Sequence, residues 1–220
     1  MPDSYALEDY LEAIYILETE SVAVIGARVA DFLNVTAPSV TEALQRLARR
    51  GLISMENHTI TLSPQGREHA ESLVRKHRIA ERWLTDVLGF DWAQADIEAS
   101  KLAHAFSSDV ADRLSKLMED PKTCPHGNPI PGNSTERAHA GPRLDSVPAG
   151  ADTIVERVVE HAEVDSKLLN YLWRHGILPG VRLTVTDRVQ GAGTVVVLRD
   201  GKEIALGVSA ANKIQVSEVT

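Results

Sequence analysis

The sequence has almost no cysteine and no excess of positive charge. A single cysteine, Cys124, cannot form an intramolecular disulfide, so nothing in the sequence indicates an oxidising compartment. With 23 Lys and Arg against 31 Asp and Glu, the net charge of -8 excludes a protein that coats nucleic acid by bulk electrostatics. Any contact with DNA must therefore use a local basic surface.

Long apolar segments are also missing. No apolar run reaches the roughly 20 residues that a membrane-spanning helix needs. The first residues carry acids every few positions instead of a basic start and an apolar core, so they predict neither a signal peptide nor a membrane anchor. Hydrophobic residues make up 43% of the chain and charged residues 25%, which are ordinary values for a globular protein. We therefore expect a soluble, cytoplasmic protein without membrane contact, and its 220 residues are enough for two domains.

The N-terminal part of the chain has the pattern of a DNA-binding unit. Apolar residues at helical spacing predict one helix near the N-terminus, followed by helices over residues 24–33 and 38–50. The last of these is expected to end at Gly51, and residues 53–62 predict a hairpin. Three helices closed by a small hairpin outline a winged helix-turn-helix, in which the second helix of the pair enters the major groove.

The rest of the chain changes character twice. Residues 63–88 and 96–118 predict two long helices, apolar on one side as helix packing requires. Six of the ten prolines then lie between Pro121 and Pro148, which predicts a linker. Beyond it, short strands with a tight turn at Asp200 and Gly201 predict a small barrel, interrupted by one helix over residues 166–175.

Five segments in a fixed order carry a resemblance to a known family: LEDYLEAIYIL, VTAPSVTEALQRLARRGLI, LSPQGREHA, KHRIAERWL and CPHGNPIPG. Together they are similar to the diphtheria toxin repressor family of metal-dependent transcriptional regulators, in its longer form with a C-terminal SH3-like domain. The resemblance covers residues 5–132 by motif and the C-terminal barrel only by pattern. It implies a homodimer that binds double-stranded operator DNA when Mn(II) or Fe(II) is bound between its domains.

The resemblance implies the domain plan as well. The fold class is α+β, with a winged helix-turn-helix over residues 1–63 and a helical metal-binding and dimerisation domain over residues 64–120. A Pro-rich linker over residues 121–149 leads to an SH3-like, FeoA-like domain over residues 150–220.

The resemblance places the recognition helix within residues 36–50. Contacts to base edges or the nearby backbone are expected from Thr36, Pro38, Ser39 and Glu42. Contacts to phosphates are expected from Thr41, Arg46 and Arg49. Short polar side chains at a helix N-terminus suit close approach to phosphates. Glu42 is unusual there, because a carboxylate in the groove can accept only from cytosine. From residue types alone, arginines at a solvated helix end explain this segment equally well.

Two groups of metal ligands are implied. The ancillary group comprises His77, Glu81, Asp96 and Asp165, with Asp96 where the family has a histidine and Leu168 at the neighbouring amide position. On their own, a histidine and a glutamate four residues apart on a helix more often form a surface ion pair than a metal site.

The primary group is incomplete. Asp9, Glu12 and His104 remain, but Ser100 and Ala103 stand where the family has a cysteine or glutamate and a second glutamate. Alanine cannot coordinate a metal, and a serine hydroxyl is a poor ligand. Three hypotheses follow: the main metal has moved to the ancillary group, the primary site persists as a weak oxygen-rich site, or DNA binding no longer needs metal. The missing thiolate favours Mn(II), although Fe(II) also accepts histidine and carboxylate.

The leading hypothesis is a Mn(II)- or Fe(II)-dependent dimeric repressor of metal-homeostasis genes, and not an enzyme. One alternative is a DNA-binding regulator of the same fold that no longer requires metal. A remote alternative is a metal hydrolase that uses His77, Glu81 and Asp96 around an activated water. Cys124 and His126 fall short of the four ligands of a structural zinc site and are interpreted as linker residues.

Overall fold

The computed structural model describes residues 2–135, 141–160 and 165–219. Its N-terminal domain has three helices and a hairpin: α1 Pro2–Thr19, α2 Gly26–Leu33, α3 Ala37–Arg49, β1 Ile53–Glu56 and β2 Thr59–Leu62. The two strands pair antiparallel, and Asn57 and His58 turn the chain between them with positive φ angles of 48° and 65°. The core includes Leu11 and Ile14 of α1 and Leu47 of α3. This is the predicted winged helix-turn-helix.

The start of α3 is fixed by its sequence. Thr36 caps the helix by accepting the N–H of Ser39 on its side-chain oxygen, and Pro38 lies in the first turn, where the missing N–H costs nothing. Val40, Ala43, Leu44 and Leu47 are buried. The opposite side of the helix is therefore free to face another molecule.

The central domain contains α4 Pro64–Arg82, a π-helical turn Trp83–Val87, α5 Trp92–Ala105 and α6 Ser108–Leu117. The prediction of one helix over residues 96–118 is wrong. Phe106 has an extended backbone (φ -75°, ψ 135°), and Ser107 caps a new helix by accepting the N–H of Val110 at 3.3 Å. Ser107 is a good N-cap residue, so the sequence contained the signal for this break.

The segment after α6 is packed, and the interpretation of Cys124 and His126 as linker residues is wrong. The N–H of Cys124 donates to the carbonyl of Asn128 at 2.8 Å, and the N–H of Gly127 donates to the carbonyl of Cys124 at 2.9 Å. Gly127 has a φ of 91°, and a Cβ there would lie 2.3 Å from the carbonyl oxygen of Glu156. Because of this tight turn, the segment packs against the C-terminal domain, and Cys124 and His126 are completely buried.

The C-terminal domain is a five-stranded antiparallel sheet of order β6-β5-β4-β3-β7. Its elements are β3 Asp152–Val158, α7 Ser166–His175, β4 Arg182–Val189, β5 Thr194–Arg199, β6 Lys202–Gly207, α8 Val208–Ala211 and β7 Ile214–Glu218. The predicted helix and the predicted turn at Asp200 and Gly201 are confirmed. Leu144 and Val147 belong to the core of this domain, so its packing begins before residue 150.

Aromatic packing joins the C-terminal domain to the central helices. Trp92 of α5 packs edge-on against His126, with ring centroids 4.6 Å apart, and lies 5.9 Å from Trp173 of α7. Aromatic pairs at these separations add to the stability gained by burial. Across the described residues, no helix is both long and apolar enough to cross a membrane.

Candidate metal centre

Five of the predicted metal ligands of the N-terminal and central domains line one cleft of about 280 Å³, and Glu81 is buried behind it. The cleft is bordered by the acids and histidines Asp9, Glu12, His77, Asp96, His104 and Glu160, and by Arg78. Helix α1 supplies two of them, and the same helix packs against α2 and α3. The cleft therefore lies where the DNA-binding domain meets the central helices.

His77 lies at the centre of one group of ligands. Its Nε2 atom is 3.5 Å from a carboxylate oxygen of Glu81 and 3.6 Å from one of Asp96, while its Nδ1 atom is 3.9 Å from one of Glu12. The four-residue spacing on α4 brings His77 and Glu81 together, as expected for one helix face. His77, Glu81 and Asp96 can each offer one ligand atom within 4.8 Å of the others.

Electrostatics in this group favour the charged forms of His77 and Glu81, but not of Glu12. Burial alone would lower the pKa of His77, but Glu81, Asp96 and Glu12 raise it well above its ordinary value. Burial alone would likewise raise the pKa of Glu81, but the imidazoles of His126 and His77 hold it far below the usual range. Burial raises the pKa of Glu12. Glu81 is thus a carboxylate held between two imidazoles.

A second group of ligands shares Glu81. His126 Nδ1 lies 3.2 Å from a carboxylate oxygen of Glu81, and Cys124 Sγ lies 3.8 Å from the same nitrogen. All three side chains are completely buried, and they can place three ligand atoms within 4.8 Å of one another. Sequence reasoning missed this group, because two ligands on a proline-rich segment do not reveal that a glutamate 43 residues earlier faces them.

His104 connects α5 to α1. Its Nδ1 atom is 2.7 Å from Glu8 and its Nε2 atom is 3.1 Å from Asp9. Burial raises the pKa of Asp9, while His104 opposes that rise. Ser100 donates its hydroxyl proton to the carbonyl of Asp96 at 3.1 Å, as is common for serine within a helix, and Ala103 is buried. Glu8 is a contact that the sequence analysis missed.

The C-terminal domain brings a different acid to the cleft from the predicted one. Asp165 caps α7 by accepting the N–H of Leu168 at 3.1 Å, and neither residue borders the cleft. Glu160, two residues beyond the end of β3, borders the cleft and forms a buried ion pair with Arg78. Its position could not be predicted, because strand alternation does not continue past Val158.

The donors present fit a divalent cation. Both carboxylate oxygens of Glu81 are buried, and neither accepts a hydrogen bond of regular geometry from the residues that the structure describes. A buried carboxylate in that condition is costly unless a cation is close. Imidazole and carboxylate donors suit Mn(II) and Fe(II), and one thiol adds a softer donor.

The predicted DNA-binding residues lie on the face of α3 away from the core. Arg46 is half-buried. The other six are exposed: Thr36, Pro38, Ser39, Thr41, Glu42 and Arg49. Thr41 donates its hydroxyl proton to the carbonyl of Ala37 at 2.9 Å, which fixes its rotamer. The basic residues lie in the last turn of the helix, where they complement its dipole.

Three family descriptions match consecutive parts of the chain. "Iron dependent repressor, N-terminal DNA binding domain" matches residues 4–59, and "Iron dependent repressor, metal binding and dimerisation domain" matches residues 63–132. "FeoA domain" matches residues 143–218. The last range begins before residue 150, in agreement with the buried positions of Leu144 and Val147.

Individual relatives agree with these matches. The chain is 35% identical to the iron-dependent repressor IdeR of Mycobacterium bovis, over 96% of both chains. It is 32% identical to the diphtheria toxin repressor of Corynebacterium glutamicum, again over 96% of both. Among solved structures, a manganese-dependent transcriptional repressor in complex with manganese is 30% identical with a TM-score of 0.83, over 97% of this chain and 100% of the other. The IdeR structure from T. acidophilum is 29% identical with a TM-score of 0.75, over 96% and 97%.

Proposed function

Because the chain belongs to the iron-dependent repressor family, we propose that it is a homodimeric repressor of metal-homeostasis genes whose DNA binding depends on Mn(II) or Fe(II). The metal response is inferred from one group of potential ligands, His77, Glu81 and Asp96. This group faces Glu12 of the DNA-binding domain. Such a protein acts where the chromosome is, so we place it in the cytoplasm.

The ligands are divided between two domains. His77 and Glu81 lie on α4 and Asp96 on α5, whereas Glu12 comes from α1. A divalent cation held by these side chains supplies positive charge that offsets several carboxylates at once. Because α1 packs on α2 and α3, the position of Glu12 is coupled to the position of the recognition helix. Metal affinity and DNA affinity are then linked, and each raises the other by the same factor.

The proposed metal centre also includes residues beyond α5. We propose that Glu81 can bind a cation together with His77 and Asp96 or together with Cys124 and His126, since it contacts both His77 and His126. Glu160 stands closer to the cleft than Asp165 and is the acid that the C-terminal domain contributes to its border. The Cys124 thiol gives the second group a preference for softer ions than the first.

The dimer surface is proposed on the central domain, in keeping with the family description of that region. Three large apolar side chains there are about half exposed: Val87 at 54%, Leu88 at 48% and Ile97 at 49%. In a two-fold dimer the same surface meets itself, which spaces two recognition helices about one turn of DNA apart.

The test is a gel shift of chelator-stripped, full-length protein on a panel of genomic DNA fragments, with and without Mn(II) or Fe(II). We expect sequence-specific binding only with metal. A second candidate, a metal-independent regulator of the same fold, is favoured by Ser100 and Ala103, which remove two of the family's usual ligands. Equal binding without metal would establish that candidate and contradict the proposed function.

The roles of two α3 residues can be separated by their effect on specificity. Arg49→Ala is expected to weaken binding to operator and random DNA alike and to reduce the slope of log affinity against log salt by about 1. Ser39→Ala is expected to change sequence preference instead, because its exposed hydroxyl lies at the helix N-terminus, 2.9 Å from that of Thr36. Fluorescence anisotropy across a salt series measures both, with Arg113→Ala as an exposed arginine control on α6. Identical effects of the two variants on all sequences would contradict the assigned roles.

A further inference from the structure

A buried ion pair joins the end of α1 to the C-terminal domain. Both carboxylate oxygens of Glu20, one residue beyond α1, accept hydrogen bonds from the guanidinium of Arg157, one from Nη1 and the other from Nη2 at 2.8 Å. Arg157 lies on β3, and its side chain is 4% exposed against 11% for that of Glu20. A two-point contact between planar charged groups fixes their relative orientation as well as their distance.

Two cavities border this ion pair. One of about 560 Å³ is lined by Glu20 and Arg157, and another of about 690 Å³ is lined by Glu20 and Arg143. Side chains that face an open cavity have no partner atoms across it, so close packing contributes little there. Arg143 adds a weaker contact, with its Nη2 atom 3.7 Å from Glu20. At this point the two domains are therefore held together by charge more than by apolar packing.

The guanidinium of Arg157 is held independently of Glu20. Its Nη1 atom also donates to Oδ1 of Asn128 at 2.9 Å. The side-chain amide of Asn128 donates to the carbonyl of Val158 at 3.0 Å, and the N–H of Val158 donates to the carbonyl of His126 at 2.8 Å. These contacts fix the end of β3 to the packed segment before the C-terminal domain. Arg157 is thus oriented by protein groups alone, and its contact with Glu20 needs no metal ion.

The same end of α1 also holds the hairpin of the DNA-binding domain. Glu18 accepts the N–H of Leu62, the last residue of β2, at 3.0 Å and pairs with Arg67 near the start of α4. Glu18 and Glu20 are two residues apart, so the hairpin and the C-terminal domain are attached to α1 at nearly the same place. Because α3 also packs on α1, a tilt of α1 against the C-terminal domain would move both the hairpin and the recognition helix.

We propose that Glu20 and Arg157 hold the DNA-binding domain against the C-terminal domain, without a metal ion, in the orientation that binds DNA. The inference rests on the proposed DNA-binding function and adds a control that is separate from both groups of metal ligands. Arg157 is a positioning residue, because it acts through Glu20 and α1. A domain that is already held in one orientation loses less freedom when it binds DNA, so the ion pair raises DNA affinity.

The first measurement is DNA affinity by fluorescence anisotropy at saturating Mn(II), where a change in metal affinity has no effect. Arg157→Met and Glu20→Gln are each expected to weaken binding of the full-length protein to its DNA fragment about 10-fold, and the double variant no more than the stronger single change. Arg182→Met is the matched control, since Arg182 is exposed and pairs with Asp152 within the C-terminal domain. It should bind DNA like the wild type.

The second measurement is the distance between the two domains, without DNA or metal, by pulsed electron paramagnetic resonance. Nitroxide labels are attached to Glu56→Cys in the hairpin and Lys202→Cys on β6, both of which are exposed positions. Cys124 is completely buried, which protects it from labelling. Labelled chains are mixed with an excess of unlabelled chains, so that the distances arise within one chain. We expect a narrow distribution for the wild type and a broader one for Arg157→Met.

Unchanged distances or unchanged DNA affinity in both variants would overturn the inference. Tighter DNA binding would overturn it too, because the ion pair would then hold the domain away from DNA. Failure of the proposed function is distinguishable, since the wild-type chain would then bind no fragment specifically; in that case broadened distances support the positioning and unchanged distances overturn it. Thermal melting verifies that each variant is folded, and Glu20→Gln, at the less buried partner, provides the test if Arg157→Met does not fold.

Discussion

Replacing Glu81 with glutamine is expected to raise the Mn(II) concentration needed for half-maximal DNA binding on the order of 100-fold or more. Glu81 is completely buried and contacts His77 at 3.5 Å and His126 at 3.2 Å, so it is common to both ligand groups. The amide has the same shape but no charge, and it leaves two imidazoles without their shared carboxylate. Asp96→Asn affects only the His77 group, so its effect is expected to be smaller.

A gel shift at fixed DNA and rising Mn(II) measures the midpoint for each variant. Glu98→Gln is the matched control, since Glu98 is a partly exposed acid of α5 that pairs with Lys101. An unchanged midpoint for Glu81→Gln would show that neither of the two groups containing Glu81 controls DNA binding. If the midpoint shifts with Glu81→Gln but not with Asp96→Asn, the response belongs to the group that contains Cys124 and His126.

Local signals in the sequence were sufficient for most of the fold. The helix over residues 166–175 was predicted to its ends because its apolar spacing is followed by Gly176, which adopts a φ of 61° at the helix terminus. The hairpin of β5 and β6 was predicted from Asp200 and Gly201 for a similar reason. The apolar pattern continues through Phe106 and predicts a single helix there, whereas the capping signal of Ser107 indicates that a new helix begins.

The metal centre was only partly predictable, because it depends on contacts between distant parts of the chain. Helical spacing places His77 and Glu81 on one face, and the family resemblance adds Asp9, Glu12, Asp96 and His104. Neither source indicates that the chain turns at Gly127 and brings His126 onto Glu81, since that contact depends on burial against the C-terminal domain. The family resemblance also implies Asp165, but a resemblance does not indicate that this side chain caps α7.

The second large effect concerns the ion pair between Arg78 and Glu160, which joins α4 to the C-terminal domain. Arg78 is 6% exposed and Glu160 is 5% exposed, and Arg78 also donates to the carbonyl of Pro129. Breaking a buried pair leaves the other charge without compensation, so Arg78→Ala is expected to destabilise the protein by about 3–5 kcal/mol. The exposed pair of Arg113 with Asp109 provides the control, and Arg113→Ala should cost at most about 1 kcal/mol.

Urea denaturation of the metal-free chain measures both variants, and a double-mutant cycle identifies the cause. If the loss comes from the unpaired carboxylate, Arg78→Met combined with Glu160→Met should be more stable than the sum of the two single changes predicts. The two methionines fill the space with apolar atoms, and no buried charge remains. Additive losses would instead assign the effect to the hydrogen bond with Pro129. The ion pair would then not be what holds the C-terminal domain against α4.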